Sequence, residues 1–165
     1  MLPERYLKLY RFLRAANAPA DLTSLPSRIV FQKRVYFAQA FGIDLGYHFG
    51  WYVFGPYSNE LTKDAYGLLG LESRLEGAQP KDMPAEMKKL NEFFAKVKMP
   101  ESKKGERYWL ELLSSLHFLT AYAAPPIKTK DECIAKIKLI KPNRFSEEDM
   151  ELAWQLLEEY RLIAS

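Results

Sequence analysis

Between Arg28 and Phe41 the sequence RIVFQKRVYFAQAF places apolar side chains on nearly every side of a helical cylinder. A helix of that kind has no face to offer to water, so it predicts an element at the centre of a domain with others packed around it. Ser27 is expected to cap this helix and Gly42 to stop it just after Phe41. Its polar members then need explaining. Gln32, Lys33 and Gln39 cannot all escape a packed cylinder, so at least one of them is expected to have a dedicated partner.

The stretch that follows, YHFGWYVFGPYSNEL from Tyr47 to Leu61, carries six Phe, Tyr and Trp residues around Gly50 and Gly55. Aromatic-rich runs bounded by glycine favour extended chain over helix, and a short strand or hairpin is predicted before Gly55-Pro56 ends it. Tyr47, Phe49, Trp51 and Val53 then fall on one side, with His48, Tyr52 and Phe54 on the other. At least one of these aromatic faces must be buried; the other could leave a rim of rings for a partner. Beyond Pro56 and Tyr57, Ser58 is the expected N-cap of a further helix, and Asp64 lies two turns into it. A buried lysine is tolerable only with a partner and hydrogen bonds, so the Lys33 ammonium is expected to meet Asp64 or the carbonyls of the Gly55 turn.

The rest of the chain reads as helices and connectors. A first helix opens at Pro3, with Tyr6, Leu9, Tyr10 and Leu13 on its inner side. A loop is expected at Glu76–Pro84, then a basic amphipathic helix at Ala85–Val97 that buries Met87, Leu90, Phe93, Phe94 and Val97. A charged turn at Met99–Gly105 precedes an apolar helix from Arg107 to Ala123, which Pro125-Pro126 stops. Lys130–Ile140 forms a shorter helix. Ser146 caps the last one, with Asp149 at its third position and Phe145 and Met150 as a hydrophobic staple. The sum is one mainly helical domain over 1–165, about seven helices with one short aromatic β element; 128–165 forms its C-terminal helix pair.

Composition, at 48% apolar and 27% charged residues, is that of a folded globular chain. No apolar run approaches the roughly 20 residues that cross a bilayer, and the charged beginning does not resemble a signal peptide, so a cytoplasmic protein without membrane partners is expected. Cys133 is the only cysteine, which excludes an internal disulfide. Charge is segregated near the end. Six basic residues lie between Lys128 and Arg144, followed by the acidic Glu147, Glu148, Asp149, Glu151, Glu158 and Glu159, as expected if the two blocks face each other across a helix pair.

Chemistry leaves little local trace. The histidines, His48 and His117, have no metal-ligand spacing, and phosphate-loop and nucleophile-elbow patterns are absent. Asp82 ahead of Glu86-Met87-Lys88 resembles the acidic pattern of magnesium nucleases, but Glu86 and Lys88 sit two apart on a helix and face different ways. No catalytic residue, metal site or cofactor is assigned. A second basic region runs over Lys88, Lys89, Lys96, Lys98, Lys103, Lys104 and Arg107, diluted by glutamates.

RIVFQKRVYFAQ (28–39) followed by YHFGWYVFGPYSNELTKD (47–64) resembles the YwgA-like proteins of bacteria and archaea, and more distantly the Panacea domain of antitoxins. The closing KPNRFSEEDMELAWQLLEEYRLI is similar to the YwgA-like pattern of a turn before a final helix. The likeness is most specific over 28–75. It implies a compact helical domain with a β-hairpin and a role in binding another protein, with no expectation of catalysis.

Three functions follow as expectations. The first is a non-enzymatic interaction or regulatory protein, antitoxin-like, that binds a protein partner or a second copy through His48, Tyr52 and Phe54. The second is a nucleic-acid-binding regulator touching phosphate through Lys136, Lys138, Lys141 and Arg144, although the SEEDME start of the last helix would repel a backbone. The third is an enzyme whose site is assembled from distant positions.

Overall fold

The computed structural model describes residues 3–17, 20–75, 85–97 and 103–163. The expected loop at Glu76–Pro84, Asp82 of the nuclease-like pattern and most of the Met99–Gly105 turn lie outside them. Helix α1 (Glu4–Ala15) starts at Pro3, which takes the cap position. Helix α2 (Leu25–Ala40) begins earlier than expected, because Ser24 and not Ser27 is its cap; the Ser27 N–H donates to the Ser24 hydroxyl at 3.2 Å. The physical reason is Pro26. A proline in the first turn lacks only an N–H that has no helical partner there, so the helix can start ahead of it.

From Ile43 to His48 burial alternates as in an extended segment, with Ile43, Leu45 and Tyr47 buried and Asp44, Gly46 and His48 exposed, but the segment joins no ladder and Gly46 takes a φ of 83°. Strands β1 (Gly50–Tyr52) and β2 (Gly55–Tyr57) then pair antiparallel, Trp51 opposite Pro56 and Tyr52 opposite Gly55. This corrects the expectation that Gly55-Pro56 terminates the extended segment: the pair is the second strand, and Val53-Phe54 is the turn. Neither turn residue has a positive φ; Gly55 does, at 89°, the conformation a hairpin needs just after a type I turn. A two-stranded sheet is all edge, so Pro56 is tolerated in it.

Helix α3 (Asn59–Leu69) follows directly, capped by Ser58, whose hydroxyl accepts the Leu61 N–H at 3.2 Å. After the single turn α4 (Glu72–Leu75) come α5 (Glu86–Val97), α6 (Gly105–Ala121), α7 (Lys130–Ile140) and α8 (Glu147–Glu159). Among the described residues that makes seven helices of 11 residues or more around one small hairpin, the architecture read from the sequence. No helix is long and apolar enough to cross a membrane, again among those residues.

Helices α2 and α6 form the central pair. Every residue of α6 from Trp109 to Leu119 is buried, so this helix is enclosed on all sides like α2. Against them α5 lays Met87, Leu90, Phe93, Phe94 and Val97, the set its spacing predicts. Phe93 meets Phe37, Phe41 and Tyr160 with ring centroids 4.9–5.3 Å apart. Phe37 and Phe93 are fully buried, and each such ring contributes about 1.5–3 kcal/mol of hydrophobic stabilisation.

Helix α8 starts as predicted, the Ser146 hydroxyl accepting the Asp149 N–H at 3.1 Å with Phe145 and Met150 both buried. Asp149 does more than fill a first-turn position: it accepts from Lys104 Nζ and from the Tyr108 hydroxyl, tying α8 to the start of α6. The two charge blocks do face each other, through Lys130–Glu151 and Lys138–Glu147, each at 2.9 Å.

Cys133 is fully buried on α7, and burial pushes its thiol up to about 12. Native protein at pH 8 is expected to react with a maleimide slower than a free thiol by a factor on the order of 10³, with normal reactivity in urea. Rapid labelling of the folded protein in stopped-flow absorbance would contradict this placement.

Candidate functional site

The aromatic segment hangs from α2 by its backbone. Gln39 lies beside Tyr47, and its side-chain amide donates to the Tyr47 carbonyl while its oxygen accepts the Tyr47 N–H, both at 2.8 Å. One turn and a half earlier, Lys33 Nζ donates to the Pro56 carbonyl. Gln32 then repeats the glutamine arrangement at Ser58, donating to its carbonyl at 3.0 Å and accepting its N–H at 2.9 Å, with a further bond to Thr62 Oγ1 at 2.8 Å. Gln32, Lys33 and Gln39 thus all have partners, and these partners lie between Tyr47 and Thr62.

Lys33 does not reach Asp64. The Asp64 carboxylate instead accepts from Arg5 Nε at 3.0 Å and from the Tyr47 hydroxyl at 2.8 Å, because α3 turns that face toward α1. Lys33 takes the other expected partner, a carbonyl of the glycine-proline strand. Only 1% of the residue is exposed, and burial pushes its amine down to about 7, against the pull of the Glu111 charge.

Glu111 is the acid the sequence reading passed over. It lies fully buried on α6 and accepts from Arg144 Nε at 2.9 Å and Nη2 at 2.8 Å, and from Lys141 Nζ at 3.4 Å. Lys141 also donates to the Val53 carbonyl at 2.9 Å and stands over the Trp51 ring, 5.5 Å from its centroid. Arg107 and Arg144 both lie over Phe54, at 5.1 and 5.7 Å. The hairpin tip is therefore clamped between the end of α7 and the flank of α6. Gly55 makes the close approach feasible: a Cβ there would sit 2.7 Å from Ser115 Oγ, a buried hydroxyl with no hydrogen-bond partner among the described residues.

These contacts redistribute the residues singled out from the sequence. Of the four candidate phosphate contacts, Lys141 and Arg144 are committed to Glu111 and Lys138 to Glu147, leaving Lys136 apart on the exposed side of α7. In the second basic region Lys96 pairs with Glu159 and Lys104 with Asp149; Lys98 lies outside the described residues. Glu86 and Lys88 are two apart on α5, as the helical reading requires. His48 and Tyr52 are exposed, as expected for an outer face, but Phe54 is half-buried under its two guanidinium groups. Val53 shows the opposite departure. The alternation puts it on one side with Tyr47, Phe49 and Trp51, yet as a turn residue it leaves that side and is 80% exposed.

His117 is also buried, and its Nδ1 lies 2.6 Å from the Tyr36 hydroxyl. Burial pushes His117 down to about 4 and raises Tyr36, so the phenol keeps its proton and donates to a neutral imidazole. Among the described residues, no three His, Cys, Asp or Glu side chains converge as metal ligands. No family model matches the chain, and no curated protein or solved structure is significantly similar to it.

Two outcomes follow from the buried charges. Glu111→Gln leaves Lys33, Lys141 and Arg144 without their acid and is expected to lower stability by about 3–5 kcal/mol in urea titration; a loss below about 1 kcal/mol would show that the cluster contributes little. Lys33 titrates near 7 when folded against an ordinary 10.5, so between those values the unfolded chain holds a proton that the folded chain has released. Its contribution to stability therefore rises with pH across that window, by up to about 1.4 kcal/mol per unit. Urea midpoints at pH 7, 8 and 9 should show the wild type gaining on Lys33→Met, and a gap that stays constant over the series would refute the depressed value.

Proposed function

We propose that this protein is a non-enzymatic interaction module whose contact surface is the tip of the hairpin together with the C-terminal end of α7. The observation that carries the reading is the set of apolar side chains left in water on these two elements: Val53 at 80% and Tyr52 at 47% on the hairpin, Leu139 at 74% and Ile140 at 37% at the end of α7. The Lys141–Val53 hydrogen bond ties the hairpin tip to the end of α7, which carries the two α7 residues. Scattered exposed apolar residues need no explanation, but several on one braced edge mark a contact surface. Beneath it, Glu111 is fully buried and engaged by Lys141 and Arg144, which suits a scaffold better than a reaction centre.

The resemblance of 28–75 to the YwgA-like and Panacea proteins points the same way, toward binding a protein partner or a second copy, in an antitoxin-like or other regulatory setting. A phosphate-binding role is less well supported, since three of its four candidate cations are already neutralised by glutamates.

A photoreactive amino acid placed at position 53 in the native cell tests the proposal. One cross-linked species, whether a distinct protein or a second copy of this chain, is expected by mass spectrometry, and Leu139→Asp should reduce its yield at least about fivefold, as losing a central apolar contact does. Background labelling alone, or a yield indifferent to Leu139→Asp, would overturn the proposed surface.

A further inference from the structure

Away from the hairpin tip, a cavity of about 230 Å³ opens between α2 and the extended segment, lined by Tyr36, Gln39, Tyr47, His48, Phe49 and Tyr122. Its walls are mostly rings. Tyr36 stands nearly perpendicular to Phe49 (86°, centroids 5.2 Å apart) and to Tyr122 (75°, 6.3 Å). Three ring side chains, Tyr36, Phe49 and Tyr122, thus border one space.

Of the five polar side chains in this lining, three are already taken, which leaves the exposed His48 ring and Tyr122 hydroxyl at its rim. The Tyr36 hydroxyl is bonded to His117, the Gln39 amide to both backbone groups of Tyr47, and the Tyr47 hydroxyl to Asp64. A sugar or phosphate, which needs donors and acceptors from its site, would find few. A group recognised through ring surface alone fits better. None of the six lining residues is Lys or Arg, and a second depression of about 370 Å³ shares Gln39, Tyr47 and His48 and extends to Asp44. The Asp44 carboxylate is largely exposed, its only ion pair among the described residues a 4.0 Å contact with Lys8. The first volume is below the range of pockets for drug-sized ligands, about 300–1,000 Å³, and suits a headgroup.

We infer that this cavity is a binding site for a methylated ammonium group, held by the faces of Tyr36, Phe49 and Tyr122 with Asp44 supplying the more distant negative charge. Aromatic faces attract a cation through their quadrupole, and methylation removes hydrogen-bond demands that this lining has few groups to meet. The site is separate from the hairpin tip, so the two proposals fail independently.

The probe is choline, compared with its neutral isostere 3,3-dimethylbutan-1-ol, titrated into protein carrying labelled tyrosine rings and followed by NMR. Choline is expected to shift the Tyr36 and Tyr122 ring signals saturably and to bind about tenfold more tightly than the isostere. Tyr122→Ala should weaken choline about tenfold while Tyr122→Phe keeps its affinity; since Tyr122 is 58% exposed, neither change threatens folding. Equal binding of choline and the isostere would overturn the inference, as would no saturable shift up to about 50 mM choline, a range that covers even millimolar affinities.

Discussion

Three polar side chains on one enclosed helix stand in for a missing strand. A two-stranded hairpin in water is marginal by itself, because most of its backbone groups have no partner in the ladder. Here Gln39, Lys33 and Gln32 meet the backbone at Tyr47, Pro56 and Ser58 in turn, and each glutamine satisfies a donor and an acceptor at once. A net hydrogen bond contributes only about 1 kcal/mol, but a buried group left without one costs about 1–3 kcal/mol, so helix and hairpin need each other to be buried at all. The central helix positions the hairpin, and the hairpin makes the polar interior of that helix tolerable.

Charge performs the same office on the other side. Glu111 accepts from Arg144 and Lys141, whose neighbours are Phe54, Trp51 and the Val53 carbonyl, so the end of α7, the flank of α6 and the tip of the hairpin converge on one acid. Buried ion pairs add little net stability compared with apolar packing, yet they specify geometry strictly because any other arrangement strands a charge. That strictness explains how a hairpin of two three-residue strands can hold Tyr52 and the turn residue Val53 out in water. It also keeps the aromatic wall of Phe49 and Tyr36 in a fixed relation beside them.

Much of this was legible in the sequence, for identifiable reasons. The all-round apolar character of 28–41 required a central helix with partnered polar residues, the buried set of α5 followed from its spacing, and α7 keeps the bounds expected between Pro125-Pro126 and Pro142. The choice between two partners for Lys33 was not legible, since it depends on which way α3 faces, and that is decided by Arg5 on α1, 59 residues away. Glu111 could have been suspected. An acid in ELLSSLHFL, a run whose only other ionisable side chain is a histidine, raises the same question as Lys33 in α2, and the answer is the complementary charge. Lys141 and Arg144 looked like surface cations because their partner lies some 30 residues earlier and inside the protein. The turn was misplaced because Gly-Pro ordinarily ends a strand, whereas here Gly55 supplies the positive φ that lets the second one begin.

The way Lys33 and Gln32 engage β2 has a further consequence for how the protein behaves at high concentration. Open sheet margins recruit strands from neighbouring molecules, and this is a common route into fibrils. On the Gly55–Tyr57 side the imide nitrogen of Pro56 has nothing to donate, the adjoining carbonyl is capped by an ammonium, and the next peptide is occupied by an amide from the helix. An aromatic segment that would be dangerously sticky as a free peptide is thereby sealed along one border by the interior that it helps to close.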